Sequence, residues 1–117
     1  MSVQEIAGDD YTIKYDPEAV IVNFYGELAL GGPKDYQPIT DFLNEIADSE
    51  PQKITLDVRE LNFLNSSGIS MLSKFVISFR RKENINLTVL GSNEVPWQGK
   101  SLSNLKKLLP SLELITD

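Results

Sequence analysis

The chain contains neither cysteine nor histidine. Without cysteine there is no disulfide framework and no thiol nucleophile. Without histidine the usual zinc sites, Ser-His triads and histidine phosphorelays are excluded as well. Glycines stand singly or as the pair Gly31-Gly32, with no Walker A or G-x-G-x-x-G pattern to cradle phosphates and no D-x-D-x-D-G calcium loop. No stretch approaches the ~20 apolar residues that span a bilayer. The opening residues, Met1–Tyr11, lack the basic start and apolar core of a signal peptide. An enzyme would have to rest on Asp, Glu, Lys, Tyr and Ser alone. The expectation is therefore a cytoplasmic binding protein that is not an enzyme, with no cofactor, no metal and no membrane insertion.

The residues present fit one domain. The 117 residues are 41% hydrophobic and 24% charged, ordinary for a soluble fold with a single core. The net charge of -6 is unevenly spread: residues 1–50 hold eleven acids against two lysines, residues 51–117 six acids against nine bases. An acidic chain without a basic stripe is a poor candidate for nucleic acid. The triplet Arg80-Arg81-Lys82 reads as cations at a helix C-terminus, where the macrodipole favours them.

Residues 1–10 read as a loosely ordered start to a single domain covering 1–117. Tyr11, Ile13 and Tyr15 alternate with Thr12 and Lys14, which predicts a half-buried strand. Asp16-Pro17-Glu18 is a turn into a second strand, Val20–Tyr25, so the pair forms an antiparallel hairpin. Ile39, Phe42, Leu43 and Ile46 recur at helical spacing over residues 35–48, and the helix ends before Pro51. Ile54–Val58 is a strand core, after which Arg59–Asn65 leads into Ser66-Ser67-Gly68. A second helix carries Ile69, Leu72, Phe75, Val76 and Phe79 on one face. Leu87–Leu90 is a buried strand. Ser101 is placed as the cap of a third helix bearing Leu102, Leu105, Leu108 and Leu109, with Pro110 beyond it. Leu112–Ile115 closes the chain as a short strand. The order β-β-α-β-α-β-α-β implies an α/β fold: a mixed, mostly parallel sheet of about five strands with three main helices.

Within this order, Leu56-Asp57-Val58, Phe63-Leu64 and Asn65-Ser66-Ser67-Gly68, with Ile69 and Leu72 after them, resemble the central segment of STAS domains. These are the family of bacterial anti-sigma factor antagonists. Gly26-Glu27-Leu28 is similar to the family's G-E-L at the end of the second strand, and the likeness runs over about residues 11–115. The resemblance implies a STAS-like fold and a partner-switching role in signal transduction and transcription regulation. It implies that Ser67, or Ser66 beside it, accepts phosphate from a serine kinase, often itself the anti-sigma factor, and that a phosphatase resets the switch. It also implies a partner-binding surface of Asn65, Ser66, Ser67, Gly68, Ile69, Met71, Leu28, Ala29 and Leu30. Two positions depart from the pattern. Asn65 replaces the motif's aspartate, and Ala29 stands where an aspartate often comes after G-E-L.

Other readings stay open from the residues alone. Ser66 or Ser67 caps the helix in an ordinary way, with Gly68 easing a tight turn; alternatively, the missing Cβ at Gly68 lets a kinase backbone come close. Asp57 is a turn or cap acceptor. Trp97 is either an exposed anchor or folded over the core edge. A small-ligand module, for nucleotide or lipid, or a constitutive binder that is never phosphorylated, are the alternatives to the switch.

Overall fold

The structure, a computed structural model, describes residues 4–117. Its elements are β1 (Glu5–Ala7), β2 (Tyr11–Asp16), β3 (Ile21–Leu28), α1 (Pro33–Asp48), β4 (Lys53–Leu64), α2 (Ser66–Ser78), β5 (Asn86–Gly91), α3 (Gln98–Leu108) and β6 (Glu113–Thr116). The expected mixed α/β sheet is present, with one strand more than expected. Part of the segment read as a loose start forms β1, paired antiparallel with β2 through Ile6 opposite Ile13; residues 1–3 lie outside the described residues.

The strands lie in chain order, β1 to β6, across one sheet. β1, β2 and β3 are antiparallel neighbours, whereas the β3–β4, β4–β5 and β5–β6 pairs are parallel. Three right-handed crossovers that all step in the same direction place α1, α2 and α3 on one face of the sheet. Among the described residues the other face has no covering layer.

The helical side holds the core. Ile13, Val22, Phe24, Ile54, Leu56, Val58, Leu87 and Val89 point inward from the strands, and Ile39, Phe42, Leu43, Ile46, Leu72, Phe75 and Val76 meet them from the helices. In the hairpin turn, the Asp16 carboxylate accepts from the amides of Glu18 and Ala19 (3.0 and 3.3 Å), a local bond that fixes the direction of β3. Gly26 has φ +91°, and a Cβ there would strike the carbonyl oxygen of Asp10. Only glycine fits this point of the strand.

β4 departs most from expectation. It runs twelve residues, well beyond Val58, with buried positions at Val58, Leu61 and Leu64. That spacing of three is not a strand period. It arises because the β3–β4 register slips twice, between Asn23 and Tyr25 and between Gly26 and Glu27. Each slip leaves an extra β4 residue, so Arg59 with Glu60, and Asn62 with Phe63, stand outward as pairs.

The far part of β4 also outruns β5, whose pairing stops at Asp57 opposite Leu90. Its free carbonyls are covered by side chains from the start of α3. Gln98 Nε2 donates to the carbonyls of Val58 (2.6 Å) and Leu61 (3.2 Å), while its Oε1 accepts from the Ser92 amide (2.7 Å). Trp97 Nε1 donates to the Leu61 carbonyl at 2.7 Å. Trp97 is thus folded over the core edge. Helix α3 begins at Gln98, not at Ser101, because Gln98 is buried and tied to β4. Arg80 and Arg81 lie in the last helical turn, after α2, as the sequence implies, and Arg80 also donates to the Leu108 carbonyl (2.8 Å) at the C-terminus of α3.

Gln98→Leu should lower the unfolding free energy by roughly 2–4 kcal/mol, since it leaves the Val58 carbonyl and the Ser92 amide without partners. Urea denaturation monitored by Trp97 fluorescence measures this; a loss below about 0.5 kcal/mol would show that the far end of β4 does not need the amide.

Candidate functional site

The segment carrying the motif forms the junction between β4 and α2. Asn65 is the N-cap of α2: its Oδ1 accepts from the Gly68 amide at 3.0 Å, and its own backbone is extended. The same oxygen accepts from the buried Tyr36 hydroxyl of α1 at 2.7 Å. On the other side of the amide, Nδ2 donates to the Leu30 carbonyl at 2.8 Å. The Asn65 backbone N–H donates to the Leu28 carbonyl at 3.0 Å, and the Leu30 amide donates to the Tyr36 hydroxyl at 3.4 Å. One side chain thus joins the end of β4, the first turn of α2, the loop after β3 and the first turns of α1.

This arrangement corrects several expectations. Neither Ser66 nor Ser67 caps α2, because Asn65 does. Gly68 does not open a path for a partner: it is buried, and a Cβ there would clash with Leu64 Cδ1 and lie 2.7 Å from the Tyr36 hydroxyl. Its lack of a side chain lets α2 pack on α1 and β4. Leu28 (0% exposed) is enclosed in the core and not available as a contact surface, and Met71 (7%) belongs to the core and reaches the surface only at the base of the groove between α1 and α2. Leu30 and Ile69 are half-buried and pack against the core. Ala29 and Ser66 are exposed, and Ser67 is half-buried. The fold therefore brings together at the surface Ala29, Leu30, Ser66, Ser67 and the edge of Ile69.

Beside them runs a groove between α1 and α2 of about 250 Å³. Ser67 and Pro33 sit at one end of it, with Gln37, Thr40, Ser70 and Lys74 along its walls and Tyr36, Met71 and Phe75 at its base. Both helices start near this end, so their positive dipole ends lie close to Ser67.

Burial pushes the Tyr36 hydroxyl above its ordinary pKa of 10.0, against a smaller opposing effect of the Leu30 backbone. Asp57 is a local acceptor, as the sequence implies, its Oδ1 taking the Arg59 backbone N–H at 3.1 Å. It lies within β4 on the uncovered face, where Arg59 donates to it through Nε (3.0 Å) and through a second guanidinium nitrogen (2.8 Å). Burial alone would raise its carboxyl; the hydrogen bonds and charge of Arg59 outweigh that and hold it below its usual range. Among the described residues no group of three or more His, Cys, Asp or Glu side chains is placed to hold a metal ion. Nor, among them, is any helix long and apolar enough to cross a membrane.

Solved structures similar to this chain include those of SiaC. SiaC of Pseudomonas aeruginosa is 14% identical with a TM-score of 0.70, and all of both chains is covered. Apo-SiaC from the same organism is 14% identical with a TM-score of 0.72, covering 100% of this chain and 99% of that one. The third is diguanylate cyclase SiaD in complex with its activator SiaC, also from P. aeruginosa, matched at 13% identity and a TM-score of 0.68, covering 97% and 98%. The fold is STAS-like. No protein-family model matches the sequence, and neither does any curated protein.

Sequence reasoning missed Tyr36 and Gln98. Both are polar residues whose partners lie 29 and 40 positions away. Nothing local marks them, although a tyrosine at the i–3 position from Ile39 shares the apolar stripe of α1.

Two predictions test the junction. Asn65→Ala should cost roughly 2–3 kcal/mol, combining a lost cap with unpaired Leu30 and Tyr36 groups, whereas Ser66→Ala should change stability by less than about 0.5 kcal/mol. Equal effects in thermal melts would mean that Asn65 is not the cap. The second concerns alkali. With its folded pKa raised, Tyr36 contributes stability that is complete below the unfolded-state value of ~10 and is lost as pH climbs through the folded value. The fall in stability above that pH should be shallower in Tyr36→Phe than in the wild type; parallel profiles would remove Tyr36 as the source.

Proposed function

We propose that this chain is a regulatory protein that binds a partner enzyme reversibly over the start of α2, and that phosphorylation of Ser67 ends the binding. It acts by docking, not by catalysis. The observation that carries this reading is the division of labour at the junction. Asn65 takes the capping role, which leaves Ser67 free on the first turn of α2, at the rim of the α1–α2 groove.

A phosphate there suits the folded domain, because helix N-termini favour anions. It adds a charge of about −1.5 to −2 at the surface. A partner packed over Ala29, Leu30 and Ser66 would have to bury that charge, so the modified form is released. The motif resemblance supports a serine kinase as the modifying enzyme and a phosphatase as the reset. The similar fold of SiaC, the activator in complex with diguanylate cyclase SiaD, supports an enzyme as the regulated partner. Ala29 and Asn65 make the surface less acidic than the family pattern, which suits a partner without a strongly basic socket.

Mass spectrometry of the chain isolated from the cells that make it should find phosphate on Ser67, lost in Ser67→Ala. With the partner recovered on the unmodified chain, Ser67→Asp should weaken binding at least about tenfold while altering stability by less than ~0.5 kcal/mol. Phosphate on Ser66 alone, or binding indifferent to Ser67→Asp, would overturn the switch.

A further inference from the structure

The uncovered face of the sheet is neither flat nor evenly polar. Along the middle of β3 and β4, beside the segment after β5, it forms an open concavity of about 1000 Å³ whose lining includes Tyr25, Asp57, Arg59, Glu60, Glu94 and Asp117. Tyr25 is 39% exposed and Phe63, farther along β4, is 44% exposed, two of the few large apolar side chains so displayed. Register sets Tyr25 opposite Glu60 and Glu27 opposite Phe63. Two aromatic rings therefore alternate with two carboxylates across the two strands.

We propose that this face is a second protein-docking surface, which takes a basic, arginine-bearing segment of a partner. Charge complementarity argues for that occupant. Arg59 is already committed to Asp57, lies 3.9 Å from Asp117 and feels the charge of Glu60 least, so a single cation of the patch faces the carboxylates of Asp57, Asp117, Glu27, Glu60 and Glu94. A guanidinium stacks on an exposed ring and pairs with a carboxylate at once, which the alternation of Tyr25, Glu60, Phe63 and Glu27 offers. Nucleic acid is repelled by the same charge. So is a second copy docked face to face, since a two-fold contact would set these carboxylates against themselves.

The bulges of β4 are an independent sign. They interrupt the β3–β4 ladder twice, and their result is to turn Arg59, Glu60, Asn62 and Phe63 outward together. Exposed aromatic anchors in a polar rim are what binding hot spots are made of. The surface lies opposite the helical layer, apart from the Ser67 groove, so it stands whether or not the switch does.

The test is selection of a random peptide display library on the intact chain, with Tyr25→Ala/Phe63→Ala as the comparison target. Enriched peptides should carry arginine beside an apolar residue, bind the double variant roughly tenfold or more weakly, and lose affinity on Glu60→Gln and as salt rises. Ser67→Asp should leave them untouched, which separates this surface from the switch. Matching melting temperatures of the variants exclude misfolding. Enrichment of acidic or neutral peptides, equal binding to the double variant, or no enrichment would overturn the proposal. Self-association that the double variant abolishes would also overturn it, assigning the face to another copy of the chain.

Discussion

The amide of Asn65 is the point on which the site depends. Three segments meet at that side chain, and each would otherwise carry an unmet polar group: the Gly68 amide in the first turn of α2, the Leu30 carbonyl after β3 and the Tyr36 hydroxyl of α1. Both ends of the amide are used, one as a twofold acceptor and the other as a donor. A carboxylate could keep the first role but not the second, and would set a negative oxygen against the Leu30 carbonyl. The replacement of the motif's aspartate is thus more than a loss of charge. It adds the donor that fastens the loop after β3, which includes exposed Ala29, onto the start of α2.

A second constraint is the mismatch between β3 and β4. Two register slips give β4 a buried residue at every third position from Val58 to Leu64. The strand can then keep Val58, Leu61 and Leu64 in the core while four other side chains face out. Twist grows at such bulges, and the carbonyls freed beyond the end of β5 need donors from elsewhere. Gln98 supplies them, and this requirement sets where α3 begins. The uncovered face and the helical layer are therefore linked through one buried glutamine.

Elements with a regular period were legible in the sequence. Ile13, Ile39, Phe42, Leu43, Ile46, Leu72, Phe75, Val76, Leu102 and Leu105 lie in the core as the strand and helix spacings imply. The second half of β4 was illegible because its period of three matches neither the strand nor the helix template. β1 escaped notice because a three-residue strand with one half-buried side chain has no pattern to show. At the junction, Asn65 to Gly68 were recognised as a unit, but their roles were not. Whether a first-turn glycine faces inward depends on Leu64 and Tyr36, and whether Leu28 and Met71 face a partner depends on how much of the core closes over them. These are tertiary facts. The cap was misplaced by one or two residues for a simpler reason: Asn, Ser and Ser all cap well, and the distant bonds to Leu30 and Tyr36 decide among them.

The two proposed surfaces share a short piece of chain, and its packing bears on how a modification at one would reach the other. Phe63 on the open face and Asn65 at the helix start are separated by Leu64 alone, which is 2% exposed. Shifting Asn65 enough to move Phe63 would drag Leu64 out of contact with Gly68 and the core. Such a displacement costs on the order of a large-to-small core substitution, about 2–5 kcal/mol. A phosphate on Ser67 supplies no comparable drive, because it meets free backbone N–H groups on its own turn and has no need to unseat the cap. The switch would therefore work by charge at the surface and not by a change of shape, and the open sheet face would keep its geometry in both states. A chain built this way could stay attached to one protein through the sheet while its helical face takes up and releases another.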